Sequence, residues 1–203
     1  MDNTLQDIIR EVNTLFMRYG IKSVTMDDIA RHLGISKKTI YSYVKDKNEL
    51  VHLTVESQIE HHKMMYNELD KGKHSALEEV FSVYKQVGQI FKELNPSYQY
   101  DMNKYYPQLS KQFLEFKKNQ LYTSIKNNLI KGKKEGVYRK EINENIIAQM
   151  QAERHISQHS SNDESHLWFQ KETFEEVFLY HLHAILNDKG REELKKMNFF
   201  QNQ

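Results

Sequence analysis

Three helix-start signals crowd into one short stretch near the N-terminus, and they leave the chain around them little freedom. Thr25, Ser36 and Asp46 are residue types whose side-chain oxygen accepts from the amides of a first helical turn. Asp28 stands three residues after Thr25 and Glu49 three after Asp46, the spacing of reciprocal capping boxes. Val24 and Ile35 precede the first two caps and are placed to staple onto Ile29 and Ile40. Gly34 stops the helix that Thr25 opens, just ahead of Ser36. A connection this short is too tight for an antiparallel pair. The geometry left is the steep crossing of a helix-turn-helix.

Upstream, Leu5, Ile8, Ile9, Val12, Leu15, Phe16 and Tyr19 recur at three- and four-residue steps, and Gly20 comes next, where a left-handed cap is wanted. The spacing predicts a first helix ending there and a short second helix with Ile29, Ala30 and Leu33 inward. It also predicts a third helix from Lys37 to about Tyr43 and a long fourth one opening at Asp46. The third presents Lys37, Lys38, Thr39, Tyr41 and Tyr43 outward, side chains able to reach base edges and phosphates in a major groove. Lys47 adds a cation beside the amides of the fourth helix. The whole chain carries a net charge of only +1, yet Arg31, Lys37, Lys38, Lys45 and Lys47 face a single acid, Asp46, between positions 31 and 47. That run fits either a phosphate-binding surface or a solvated lysine face, and the helices fit either a DNA-binding head or an ordinary three-helix bundle.

Two stretches, Leu15-Phe16-Met17-Arg18-Tyr19-Gly20 and Thr25-Met26-Asp27-Asp28-Ile29-Ala30, lead into a third. The third is Leu33-Gly34-Ile35-Ser36-Lys37-Lys38-Thr39-Ile40-Tyr41-Ser42-Tyr43-Val44-Lys45-Asp46-Lys47, with Glu49-Leu50 just beyond it. Together they resemble the DNA-binding domain of TetR-family regulators. Val44 departs from the family, which more often has phenylalanine there; the position packs inward, so the change bears on core volume. The resemblance implies that Thr25 meets a phosphate through its cap region and that Lys37, Lys38 and Thr39 face bases and nearby phosphates. It implies further that Tyr41 and Tyr43 hold backbone phosphates, Tyr41 also packing on a thymine methyl, and that Lys47 clamps a phosphate. Two lysines at base-facing positions fit guanine or phosphate, with one of each the favoured split. The implied protein is a ligand-responsive repressor that binds a palindromic operator as a homodimer and is released by a small-molecule effector.

The rest of the chain reads as helical. Two prolines and seven glycines in 203 residues are too few for a fold rich in tight turns. Apolar periodicity predicts helices over 49–70, 75–94, 107–134, 143–156 and 167–187, a short piece over 98–106, a polar loop over 157–165, and a tail helix after Lys189-Gly190. The expected organisation is all-α, with a helix-turn-helix domain over 1–47 and a helical effector-binding and dimerisation domain over 48–203. Gly136-Val137-Tyr138-Arg139 also resembles the same family's regulatory domain, weakly. The wide apolar face carrying Trp168, Phe169, Phe174, Val177, Phe178, Tyr180, Leu182 and Ile185 fits an interface or a buried central helix. The aromatics Tyr84, Phe91, Tyr98, Tyr100, Tyr105, Tyr106, Phe113, Phe116 and Tyr122 line an effector cavity or fill plain core.

Several function classes find no support. The chain has no cysteine, which removes disulfides, thiolate catalysis and Cys-based zinc. His155 and His159 are four apart, with Asp163 and His166 beyond, but no His-Glu-x-x-His is present and the polar surroundings favour surface histidines. No phosphate-cradling glycine loop or nucleophile elbow occurs. Neither an enzyme nor a resident cofactor is expected. An N-terminus without an apolar leader core, and no apolar run of about 20 residues, predict a cytoplasmic protein with no membrane partner. The rival reading is a helical module that binds an apolar ligand without sequence-specific DNA binding.

Overall fold

The computed structural model describes residues 5–69, 74–93, 95–160 and 171–197. Ten helices lie within them: α1 (Leu5–Tyr19), α2 (Met26–Leu33), α3 (Lys37–Tyr41), α4 (Lys47–Leu69), α5 (Ala76–Glu93), α6 (Pro96–Tyr105), α7 (Pro107–Glu135), α8 (Glu144–Ser160), α9 (Lys171–Ile185) and α10 (Asp188–Lys196). The other regular feature among the described residues is an isolated antiparallel bridge between Tyr138 and Leu186. The protein is all-α, a helix-turn-helix head followed by a helical body. It packs as two compact units, one of residues 1–64 and 93–116, the other of residues 65–92 and 117–203.

In the first unit, Ile8, Val12 and Phe16 of α1, Ile29 of α2, Ile40 of α3 and Leu50 and Val51 of α4 are sealed from solvent in one cluster. Gly20 (φ 82°) and Gly34 (φ 66°) hold the left-handed conformation that ends α1 and α2. α3 stops at Tyr41, short of the expected Tyr43. Ser42 Oγ donates to the Thr39 carbonyl at 2.6 Å and the Tyr43 amide to that of Ile40, which tightens the chain into a turn and drops Val44 into the core.

This unit also takes in α6, which the sequence placed in the body. Asn95-Pro96 reads as a stop signal, and here it is equally a start. Asn95 caps α6 and Pro96 opens its first turn, where no amide is needed. The Asn95 amide donates to the Met17 carbonyl at 2.9 Å and its side chain to that of Arg18 at 3.0 Å, closing the end of α1. One turn on, the buried Asp101 accepts the Lys22 amide at 2.6 Å. Gln58 of α4 donates to Asn13 of α1 at 2.5 Å and to the Tyr98 hydroxyl of α6 at 2.9 Å.

The second unit is built around Tyr138. Its ring is wholly buried and its hydroxyl donates to Asn128 Oδ1 at 2.9 Å, while Asn128 donates to the Ala76 carbonyl and Glu79. Gly132 in α7 gives the ring its space, since a Cβ there would lie 2.1 Å from Tyr138 Cδ2. Gly190, expected as a breaker ahead of the tail helix, lies inside α10. A Cβ there would come within 2.1 Å of the Val137 carbonyl, so the residue is set by close backbone approach rather than by a helix end. α8 runs to Ser160, past the expected end at Ile156, because the polar tract begins as helix. Trp168, Phe169 and the rest of that tract from residue 161 on lie outside the described residues.

Between α8 and α9, Arg154 donates from Nε and Nη2 to Gln151 Oε1 at 3.1 and 2.7 Å. That contact orients the amide so that Gln151 Nε2 faces His181 Nδ1 at 2.9 Å and donates to it. Burial first, and the nearby Arg154 charge second, push His181 down to about 4.

This packing makes two outcomes testable. Gly132→Ala, which helix propensity alone would favour, should instead cost about 1–3 kcal/mol by overpacking against Tyr138, read from urea denaturation. His181 is neutral in the fold, and its unfolded form takes up a proton from about pH 6.5 downward. Stability should therefore fall as pH drops from about 6.5 toward 4. His181→Gln should flatten that dependence in thermal melts, and an unchanged slope would refute the assignment.

Candidate nucleic-acid interface

α3 is a helix of five residues, and both of its ends are tied by side chains. Ser36 Oγ accepts the Thr39 amide at 3.0 Å and meets Thr39 Oγ1 at 2.8 Å, while Ile40 anchors the inner face. Lys37, Lys38, Thr39, Tyr41 and Tyr43 are all exposed, the two tyrosines by 47% and 43% in spite of their size. Exposed aromatic hydroxyls beside lysines form a surface that suits an anionic, hydrogen-bonding partner better than water alone. The two lysines differ. Lys37 Nζ pairs with Asp27 of α2 at 3.0 Å, whereas Lys38 has no ion pair among the described residues.

The supporting residues are held as their types require. Thr25 and Asp28 form the complete capping box. The Asp28 amide donates to Thr25 Oγ1 at 3.2 Å, and the Thr25 amide and hydroxyl donate to Asp28 Oδ2 at 2.9 and 2.6 Å. Those bonds hold the Asp28 carboxyl below the usual carboxylate range. The Thr25 hydroxyl is thus committed internally, and what remains for an outside anion is the amide end of α2. At α4, Asp46 accepts the Glu49 amide at 2.8 Å, but Glu49 reaches back to the Lys45 amide at 2.6 Å rather than to that of Asp46. The box closes one residue wider than the sequence suggests.

Lys47 is half-buried. Its ammonium donates to the Ile21 carbonyl at 2.5 Å and lies 5.8 Å from the Phe16 ring centroid. Burial, and then the charge of Lys22, lower its pKa. An ammonium has three protons, so a brace to Ile21 and an outward contact are compatible.

The seven residues of the sequence-derived set thus sit in one unit, five on or just after α3 and two at the starts of α2 and α4. The sequence did not single out Asp27 as the counter-ion of Lys37, ten residues away; the paired acids Asp27-Asp28 in one first turn were the available signal. The aromatics weighed for an effector cavity do not converge. Tyr98, Tyr106 and Phe113 pack in the first unit, Tyr100 and Tyr105 are exposed there, and Tyr84 stacks on Phe174 and Phe178 in the second. The side chains of Phe91, His155 and His159 lie outside the described residues. Among those residues no cluster of three metal-ligating groups occurs, and no helix is long and apolar enough to cross a membrane.

The profile of the family described as bacterial regulatory proteins, tetR family, matches residues 4–53. The uncharacterised HTH-type transcriptional regulator YvaF of Bacillus subtilis (strain 168) is 31% identical over 100 residues. That match spans 49% of this chain and about half, 52%, of that relative's length. A TetR transcriptional regulator from Legionella pneumophila aligns with a TM-score of 0.67 at 14% identity, covering 91% of this chain and 98% of that one. CprB from Streptomyces coelicolor, solved with its biological operator sequence, aligns at 0.56 and 16% identity, over 92% and 90% of the two chains. At these identities the structural likenesses establish fold alone.

Asp27→Asn should release Lys37 and remove a negative charge from the same surface. We expect binding to any duplex DNA to tighten by roughly twofold to fivefold, the scale of one exposed ion pair, read by fluorescence anisotropy. Unchanged affinity would mean that Asp27 does not hold Lys37 back from DNA.

Proposed function

Because this chain belongs to the TetR family of bacterial regulators by its N-terminal domain and shares the fold of the family's solved structures, we propose that it is a ligand-responsive transcriptional repressor. The observation that carries this reading is the capped, solvent-facing α3, whose Lys37, Lys38, Thr39, Tyr41 and Tyr43 converge on one surface. In this reading α3 enters the major groove. Lys38 and Lys37 reach bases or phosphates, and Tyr41, Tyr43, the amide end at Thr25 and Lys47 hold the backbone. Lys37 exchanges Asp27 for the DNA when it binds. A fold relative solved with an operator is consistent with such docking.

A five-residue helix offers too few contacts for operator-grade discrimination, so the reading requires two heads on a two-fold axis and a palindromic site with half-sites about 34–36 Å apart. Ile146 and Met150 of α8, four residues apart, are 63% and 53% exposed, and Tyr180 of α9 is 79% exposed. Large apolar side chains left in water on these two helices support their use as the homodimer surface. A small-molecule effector bound in the helical body then favours one spacing of the heads over the other, through α4. Among fold relatives, one is described as a gamma-butyrolactone receptor and another as a ketosteroid transcriptional regulator, which supports a small organic effector without identifying it. The family is one of regulators, and no catalytic role is proposed.

The test is binding to the chain's own promoter region across a salt series, with Lys38→Ala and Lys37→Ala/Lys38→Ala alongside. The parent should select a palindromic fragment over random DNA, with affinity falling steeply with salt. The double variant should lose most of that selectivity, at least tenfold, while its thermal melt stays unchanged. Equal binding by parent and double variant would leave the helical ligand-binding module as the better reading.

A further inference from the structure

One cluster on the first unit lies apart from α3 and the caps around it. Tyr100, Lys104 and Tyr105 of α6 stand in water, with the two tyrosines 55% and 44% exposed. Lys104 Nζ donates to the Tyr100 hydroxyl at 2.7 Å and lies 5.0 Å from that ring's centroid and 5.5 Å from that of Tyr105. Lys22, from the loop before α2, lies 5.0 Å from the same Tyr105 centroid. Two exposed ammonium groups thus share one aromatic ring, and neither has an ion pair among the described residues. The neighbouring acid is Asp101, whose carboxylate is buried on the Lys22 amide.

Two like charges gathered on a surface are repulsive until a polyanion arrives between or across them. Their place in the fold says which anion. Lys22 stands three residues ahead of Thr25, and the carbonyl before it, that of Ile21, holds Lys47. Tyr106, next to Tyr105, donates to Asn48 in the first turn of α4 at 2.8 Å. The cluster is therefore continuous with the two residues of the DNA set that lie off α3.

We propose that Lys22 and Lys104, pinned by Tyr105 and Tyr100, form a second DNA-backbone contact that carries the interface from α3 onto α6. The contact reads no sequence. Each ammonium meets a phosphate, and the tyrosine rings reduce the side-chain freedom lost on binding. This inference rests on the proposed DNA-binding function, and its test separates the two.

Lys22→Gln/Lys104→Gln should bind more weakly to operator and to random duplex alike. Its plot of log affinity against log salt should be shallower than the parent's by about 1.8, or about 0.9 per lost phosphate contact. Lys22→Arg/Lys104→Arg should restore the slope, and both variants should melt with the parent because the side chains are exposed. Lys38→Ala serves as the reference, since it should cost more on operator than on random DNA. If Lys38→Ala behaves so while the double glutamine variant keeps the parental slope, the α6 contact is refuted and the function stands. If the parent binds no DNA at any salt concentration, both fall together.

Discussion

A helix of five residues has no stability of its own, because nucleating a single turn fixes more backbone than its hydrogen bonds can offset. α3 exists because Ser36 closes one end, Ser42 closes the other and Ile40 is driven into a core shared with α1, α2 and α4. Every outward contact the head offers inherits its aim from that one buried isoleucine and the two serines beside it. The left-handed Gly34 matters for the same reason, as it lets α2 end and α3 begin without room for another course.

Much of this was legible in the residues. Thr25, Asp28, Gly34 and Ser36 each act through bonds that span three or four residues, and local chemistry of that kind is written locally. The order of the helices, their all-α character and the inward or outward sense of Ile40 and Tyr41 come from spacing. What the sequence concealed was long-range. That Asp101 accepts the amide of Lys22, or that Asn95 closes α1, depends on contacts between residues some eighty positions apart, and nothing near either residue signals it. Gly132 and Gly190 were opaque for a related reason. A glycine needed because another segment passes close looks, in one dimension, like a glycine that breaks a helix.

The site was legible as a set of residues but not as a network of charges. Lys37 and Lys38 are adjacent and chemically identical, yet one is engaged by Asp27 and the other has no ion pair among the described residues. Lys47 reads as a surface cation and proves to be partly a strut for the Ile21 carbonyl. Counting basic residues therefore overstates how much positive charge the unbound head presents, because part of it is taken up in holding the head together.

The junction of Asn13, Gln58 and Tyr98 has a mechanical consequence. It keys α1, α4 and α6 together through one amide set beside a buried phenol. If α4 slid along its axis by a turn, Gln58 would leave both partners, and the Tyr98 hydroxyl would be stranded in an apolar surround at the full cost of desolvation. Tilting or swinging the three helices as a block breaks none of these bonds. The fourth helix is therefore free to act as a lever and barred from acting as a piston.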